Sequence, residues 1–502
     1  MPQLLQSGSL TGAAKLDAVT ELVDKLAEDL KSTTLQPQER DVALEELKVY
    51  GRDPNNADPI FTKKGVETLT KYAFDSPSET TSRNALRVLY NAMLLKPEVR
   101  QTFVDLGYEA KACSKLKSDS VEDEFLVSKI IFLTTYGTNI NLPGLIEQHQ
   151  LADCIIQNLS RHAARFSTGK ATTNPMDDMA LSETLRLLFN VTRYCSDHIS
   201  AFDAAVPHII TILYAQPLPS PQTQTPLDAP LSPLINALMN LDLTTPTAQA
   251  ALFPTSDPTS TAARLIQLLD LSMKAYTDTN LDPVVTPLVC VLSSIHEHSP
   301  APASDDKSGA GTATDSGKGE AKPNVRAFIR SHLLPTSADR QRVLGQADTL
   351  PSRLLRNWTN PLAPEFRRAV AHFYFDMSGR DVVRFIENVG YGFASGFLFE
   401  NKIPVPEGAM GVNEQEGSAG TTRRPVNPIT GQFLSEERFP DLPEMTAEEK
   451  EREAERLFVL FERLKQTGVM SVQNPVEKAV QEGRFEELPD DVDEDDLVED
   501  LD

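Results

Sequence analysis

A chain of 502 residues with 40% hydrophobic and 24% charged side chains is composed like a soluble globular protein, long enough for about three compact domains or one extended repeat array. Its formal charge of −24, from 48 Lys and Arg against 72 Asp and Glu, repels phosphate backbones and anionic lipid alike, which argues against nucleic acid as a partner. No run approaches the roughly 20 apolar residues that span a bilayer, and Met1–Gly12 lacks the basic flank and apolar stretch of a signal peptide, so a cytoplasmic or nuclear protein without membrane insertion is expected.

From Leu16 to about Ile295 apolar residues recur at steps of three and four, as in Leu22, Leu26, Leu30 or Leu185, Leu188, Phe189, with almost no alternation of the strand kind. The class is therefore all-α. Within this stretch a phrase repeats: Leu86-Arg87-Val88-Leu89-Tyr90-Asn91 matches Leu185-Arg186-Leu187-Leu188-Phe189-Asn190. Weaker copies are Leu47 to Arg52, Phe132 to Thr135, Leu238 to Asn240 and Leu292 to Ser294, at steps of 39 to 55 residues. Armadillo and HEAT units run to about 40–47 residues, and Asn174 to Asp178 and the Pro-rich Ala215 to Pro233 lengthen two of the steps. Residues 1–298 thus read as the N-terminal helical repeats of an armadillo/HEAT-like solenoid. The uneven steps leave two or three separate helical bundles as the alternative.

Residues 299–323 hold no large apolar side chain and read as a disordered linker, because nothing there repays the entropy of ordering. Helical pattern resumes over 324–403, in Val325 to Leu334, Leu350 to Asn357 and Phe366 to Phe375. A flexible loop over 404–443 precedes a C-terminal helical segment at 444–485. There Thr446 as N-cap, Glu449 as its capping-box partner and Gly468 as the stop frame a helix with an apolar stripe of Ala454, Leu457, Phe458, Phe461 and Leu464. The end, 486–502, carries eleven carboxylates and no Lys or Arg, an acidic disordered tail.

Motifs of covalent or cofactor chemistry are weak. Gly390-Tyr391-Gly392-Phe393-Ala394-Ser395-Gly396 imitates a dinucleotide fingerprint, but its third glycine comes one residue late and no strand precedes it, so close packing of small residues is expected instead. Gly311 to Lys318 imitates a phosphate loop with one residue too many. His296-Glu297-His298 adjoins the linker without a further ligand at metal spacing and reads as a solvated helix end. Cys113, Cys154, Cys195 and Cys290 form no CxxC pair and read as small buried residues of a reduced compartment. No cofactor and no enzymatic activity are expected.

What remains is a repeated surface. Equivalent positions in successive repeats align along one face of a solenoid, which places Lys48, Arg87 and Arg186 in one row and Arg52, Asn91, Asn190 and Asn240 in the next. Asn can bond both groups of an incoming backbone, and a basic row favours a carboxylate or an acidic peptide. The same residues could equally cap turns and bond within the array.

Three further segments carry a family resemblance: Arg384 to Gly396, Asn427-Pro428-Ile429-Thr430-Gly431, and Pro443-Glu444-Met445-Thr446-Ala447-Glu448-Glu449-Lys450-Glu451 with its helix. In this order, with Leu86 to Asn91 upstream, they resemble the synembryn family, cytosolic chaperones and non-receptor guanine-nucleotide exchange factors for heterotrimeric G-protein α subunits. The Pro- and Ser-rich insertions are similar to those of filamentous-fungal members. The resemblance implies a monomeric solenoid whose concave face grips the C-terminal helix of the α subunit, while its own C-terminal helical segment embraces the nucleotide-binding domain. It also implies that Lys48, Arg52 and Asn91 line the groove. The acidic phosphorylated stretch of animal members has no clear counterpart between Gly392 and Asn427. A scaffold or transport adaptor that binds peptides without exchange activity is the other class this fold serves.

Overall fold

The computed structural model describes residues 10–167, 174–300, 324–406 and 424–437, together with the single positions 446, 452 and 456. Residues 301–323 of the linker expected at 299–323, most of the C-terminal segment expected to be helical at 444–485 and the expected acidic tail at 486–502 lie outside the described residues. Helices begin where the sequence offers a side-chain oxygen to the first free amides: Thr62, Ser78, Ser120 and Asn174 each accept from a backbone N–H two or three residues on.

In chain order the longer helices are α1 (Gly12–Ser32), α2 (Pro37–Tyr50), α3 (Lys63–Asp75), α4 (Glu79–Leu95), α5 (Val121–Thr134), α6 (Leu151–Ser167), α7 (Pro175–Tyr194), α8 (Ala205–Ala215), α9 (Leu231–Met239), α10 (Ser260–Ala275), α11 (Thr286–His298), α12 (Val325–Leu333), α13 (Pro364–Met377), α14 (Val382–Val389) and α15 (Tyr391–Glu400). They form two rows. Helices α2, α4, α5, α7, α9, α11 and α13 pack each on the next as a front row. The intervening α1, α3, α6, α8, α10 and α12, with the short helices Glu98–Asp105 and Glu109–Lys115, back them. This alternation is a helical-repeat solenoid. Among the described residues the only strand-like feature is one antiparallel bridge, Val426 to Phe433.

All six copies of the repeated phrase fall on the front row. Leu47, Leu86, Leu185, Leu238 and Leu292 are fully buried between the rows, each worth about 2 kcal/mol over an exposed leucine. The first repeat is further tied by buried Asp29 of α1. It accepts from Arg40 Nε of α2 at 2.5 Å, Tyr72 Oη of α3 at 2.6 Å and the Leu35 amide at 2.6 Å. Burial opposes the charged form, yet these three donors outweigh it and hold the carboxyl near a pKa of about 2.

No single described helix is long and apolar enough to cross a membrane. The bent pair Ser196–Phe202 and α8 is apolar because Phe202, Val206, Ile209 and Leu213 lie in the core.

Beyond α13 the chain closes on an aromatic cluster. Trp358 packs with Tyr374, Phe385 and Phe393 at centroid distances of 5.5, 5.9 and 6.3 Å. The family-like motifs meet at its edge. Gly390 has φ +79°, and the turn 427–431 lies so close that a Cβ there would stand 2.8 Å from the Ile429 carbonyl oxygen. Tyr391 N and Gly392 N donate to the Pro428 and Ile429 carbonyls at 2.7 and 3.0 Å, and Arg340 donates to the Gly431 and Glu387 carbonyls at 2.9 and 2.7 Å. Of the stretch read as a flexible loop, 424–437 is thus a folded turn clasped to the repeats.

Candidate partner-binding face

The front row displays the basic positions in register. Lys48, Arg87 and Arg186 each meet an acceptor three residues earlier on the same helix: Glu45, Asn84 at 2.6 Å and Glu183 at 3.0 Å. A side chain one turn back braces each cation without cancelling its outward reach. Arg87 also pairs with Glu122 of α5, whereas Arg186 remains half exposed.

Lys129 of α5 belongs to the same row and the phrase does not mark it. Its Nζ lies over the rings of Tyr90 and Phe125 at 5.0 and 5.2 Å and 3.7 Å from Glu183. The signal that finds it is a cation three residues before an aromatic: Arg87 and Tyr90, Lys129 and Phe132, Arg186 and Phe189. Matching Phe132 to Thr135 by its polar end shifts the register and passes over it.

The second row behaves unevenly. Arg52 is exposed just past the end of α2, its guanidinium without a hydrogen-bond partner among the described residues, and Asn91 is half-buried on α4. Asn190 is buried, donating to Thr135 Oγ1 at 2.7 Å and accepting from Tyr136 Oη at 3.5 Å. Asn240 donates to the Phe189 carbonyl at 3.0 Å and Thr192 Oγ1 at 3.4 Å. These two amides tie α5 to α7 and α7 to α9, one through the hydroxyl just past the end of α5 and the other through a carbonyl and a hydroxyl of α7.

Where α5, α7 and α9 adjoin, Phe132, Tyr136, Phe189, Arg186 and Asn190 line a cleft of about 370 Å³. Behind it Glu124 is buried, accepting from His162 Nε2 at 2.9 Å and Thr184 Oγ1 at 2.7 Å and paired with Arg161 at 3.1 Å. Burial raises its pKa, but these partners prevail and the carboxyl titrates below its ordinary value.

Two N–H groups of the glycine motif, those of Tyr391 and Gly392, donate to the turn 427–431 and are spent where a pyrophosphate would need them. The packing of small residues expected there is against a loop. His296 corrects the solvated-helix-end reading: it is buried, edge-on to Phe373 of α13 at 5.9 Å, and burial, with Arg326 and Arg330 nearby, lowers its pKa to about 4. Cys113, Cys154 and Cys195 are buried free thiols and Cys290 is partly buried; burial pushes Cys113 up to about 12. No group of three or more metal-binding side chains occurs among the described residues.

Fold and face together define a helical-repeat solenoid with cations and aromatics in register along its front row. The family model for the guanine nucleotide exchange factor synembryn matches residues 43–484. The chain belongs to that family. It is 24% identical to Chaperone Ric-8A of Macaca fascicularis over 90% of this chain and 87% of the relative. Over 32% of each chain it is 29% identical to a synembryn-like chaperone of Schizosaccharomyces pombe, and over 28% of this chain and 27% of the relative it is 32% identical to Chaperone Ric-8A of Mus musculus.

Proposed function

We propose that this protein is a guanine-nucleotide exchange factor and folding chaperone for heterotrimeric G-protein α subunits. It acts as a cytoplasmic monomer that reaches the cell cortex through its partner. Family membership supports the activity, and the names of its relatives support the chaperone role. The observation that carries the site is the front-row ladder of Lys48, Arg87, Lys129 and Arg186 with its aromatics, which suits an amphipathic segment bearing a carboxylate.

The α subunit's last helix enters this face and leaves its packing beside the nucleotide site. Affinity for GDP falls, because the exchange factor binds the opened, nucleotide-free form in preference; GTP reverses the preference by linkage. No covalent bond is made or broken. The same affinity for an opened form holds newly made α subunits until they fold. Arg52 and Asn91 contact the incoming helix directly, while Asn190 and Asn240 keep the groove helices in register.

Reversing charge at both Lys48 and Arg52 is expected to weaken α-subunit binding at least tenfold, roughly 1.4 kcal/mol, by calorimetry or interferometry. Unchanged affinity in a variant that melts like the parent would overturn the groove assignment.

A further inference from the structure

One wall of the front-row cleft comes from outside the repeats. Residues 216–230, the Pro-rich insertion that follows α8, lead into α9, and their last turn faces the cleft with Asp228. That turn is held firmly. Leu227 is buried, and its amide donates to Tyr276 Oη at the end of α10 at 3.1 Å. The hydroxyl of Thr225 donates to Asp228 Oδ2 at 2.5 Å, and the Leu231 amide closes on the Asp228 carbonyl at 3.0 Å. Asp228 itself stays exposed, and Oδ1 has no hydrogen-bond partner among the described residues.

The same cleft is lined by Arg186, half exposed and braced only by Glu183. Arg186 and Asp228 come from different elements and form no ion pair with each other among the described residues. The rings of Phe132, Tyr136 and Phe189 line the same cleft. A cleft carrying aromatic rings, a half-exposed cation paired with Glu183 alone and an exposed anion with no cationic partner among the described residues is complementary to a segment that presents an apolar side chain together with a carboxylate and a basic group.

The geometry points to Asp228 as a specificity-determining residue of the exchange reaction. It selects those α subunits whose last segment carries a Lys or Arg beside the apolar side chain seated on the aromatic floor, while Arg186 takes a carboxylate of the same segment. This rests on the proposed function, which supplies the occupant. The insertion is then part of the recognition surface, and it adds an attractive and a repulsive element at once: an acidic side chain at the same place in a competing segment meets the carboxylate of Asp228, which has no cationic partner among the described residues.

The test uses the full chain and a fluorescein-labelled synthetic peptide of the last ~20 residues of an α subunit from the same organism, about five and a half helical turns, followed by anisotropy. Asp228→Asn keeps an oxygen for the Thr225 hydroxyl and is expected to weaken binding about tenfold; Asp228→Lys weakens it further. In a set of peptides with each basic residue changed in turn to Glu, one is expected to bind the Asp228→Lys variant more tightly than it binds the parent chain. Thermal unfolding confirms that the variants are folded. If both Asp228 variants bind within twofold of the parent while Arg186→Glu loses affinity, the segment occupies the cleft without reading Asp228, and the inference falls alone. A parent chain that does not bind the peptide at all overturns the α-subunit reading and this inference with it.

Discussion

Replacing Gly431 with valine is expected to lower the stability of the C-terminal part of the repeats by about 3 kcal/mol or more. Gly431 has φ +70°, a conformation that a β-branched residue adopts at a cost of about 1–3 kcal/mol. A Cβ there would also stand 2.3 Å from Leu344 Cδ1 and 2.8 Å from its Cγ, and Leu344 is buried. Relieving that overlap costs about 1–3 kcal/mol in a packed site. The turn cannot simply swing away, because Arg340 holds the Gly431 carbonyl and the Leu344 amide donates to the Thr430 carbonyl at 3.2 Å. Trp358, the only tryptophan of the chain, lies in the adjoining aromatic cluster. Its fluorescence along a urea titration reports this region directly, and a midpoint shift equivalent to less than about 1 kcal/mol would contradict the clasp as described.

Glu124→Ala should be comparably damaging for a different reason. Removing one member of a buried charged cluster leaves the others unpaired, at about 3–5 kcal/mol. Here His162 is itself buried and Arg161 loses one of its carboxylates. The same group makes stability depend on pH with a definite sign. Its folded pKa lies below the ordinary 4.5, so its contribution is present above that value and is lost as pH falls through the folded one. Glu124→Gln, which keeps the shape and drops the charge, should destabilise less at neutral pH and remove part of the acid sensitivity. Equal acid sensitivity in parent and Gln variant, by thermal melts across that range, would show that Glu124 is not charged in the fold.

The solenoid was legible in the sequence because burying one face of each front-row helix forces a leucine phrase to recur, and all its copies fall on one row. The basic positions were legible with them, except Lys129, whose phrase is out of step. Asn190 and Asn240 were ambiguous because one amide serves a partner backbone and a neighbouring helix equally well; only their bonds to Thr135 and Phe189 assign them to the array. His296 could not be read locally, since what buries it arrives from α13, far along the chain. The insertion at 216–230 looked like mere lengthening of a repeat, and its contribution to the cleft depends on Tyr276, likewise remote. The glycines at 390–396 suggested close packing of helices; Gly390 and Gly392 are closely approached, but by the turn Asn427 to Gly431, and Gly396 faces open space.

The central claim is that this chain opens an α subunit by taking its last helix into the front-row face. Release of a fluorescent GDP analogue from a purified α subunit of the same organism, with and without this protein, tests it most directly when repeated on an α subunit lacking its last dozen or so residues, about three helical turns. The account predicts acceleration that disappears with the truncation. Acceleration that survives the truncation would contradict the face as its seat, and binding without acceleration would contradict exchange itself.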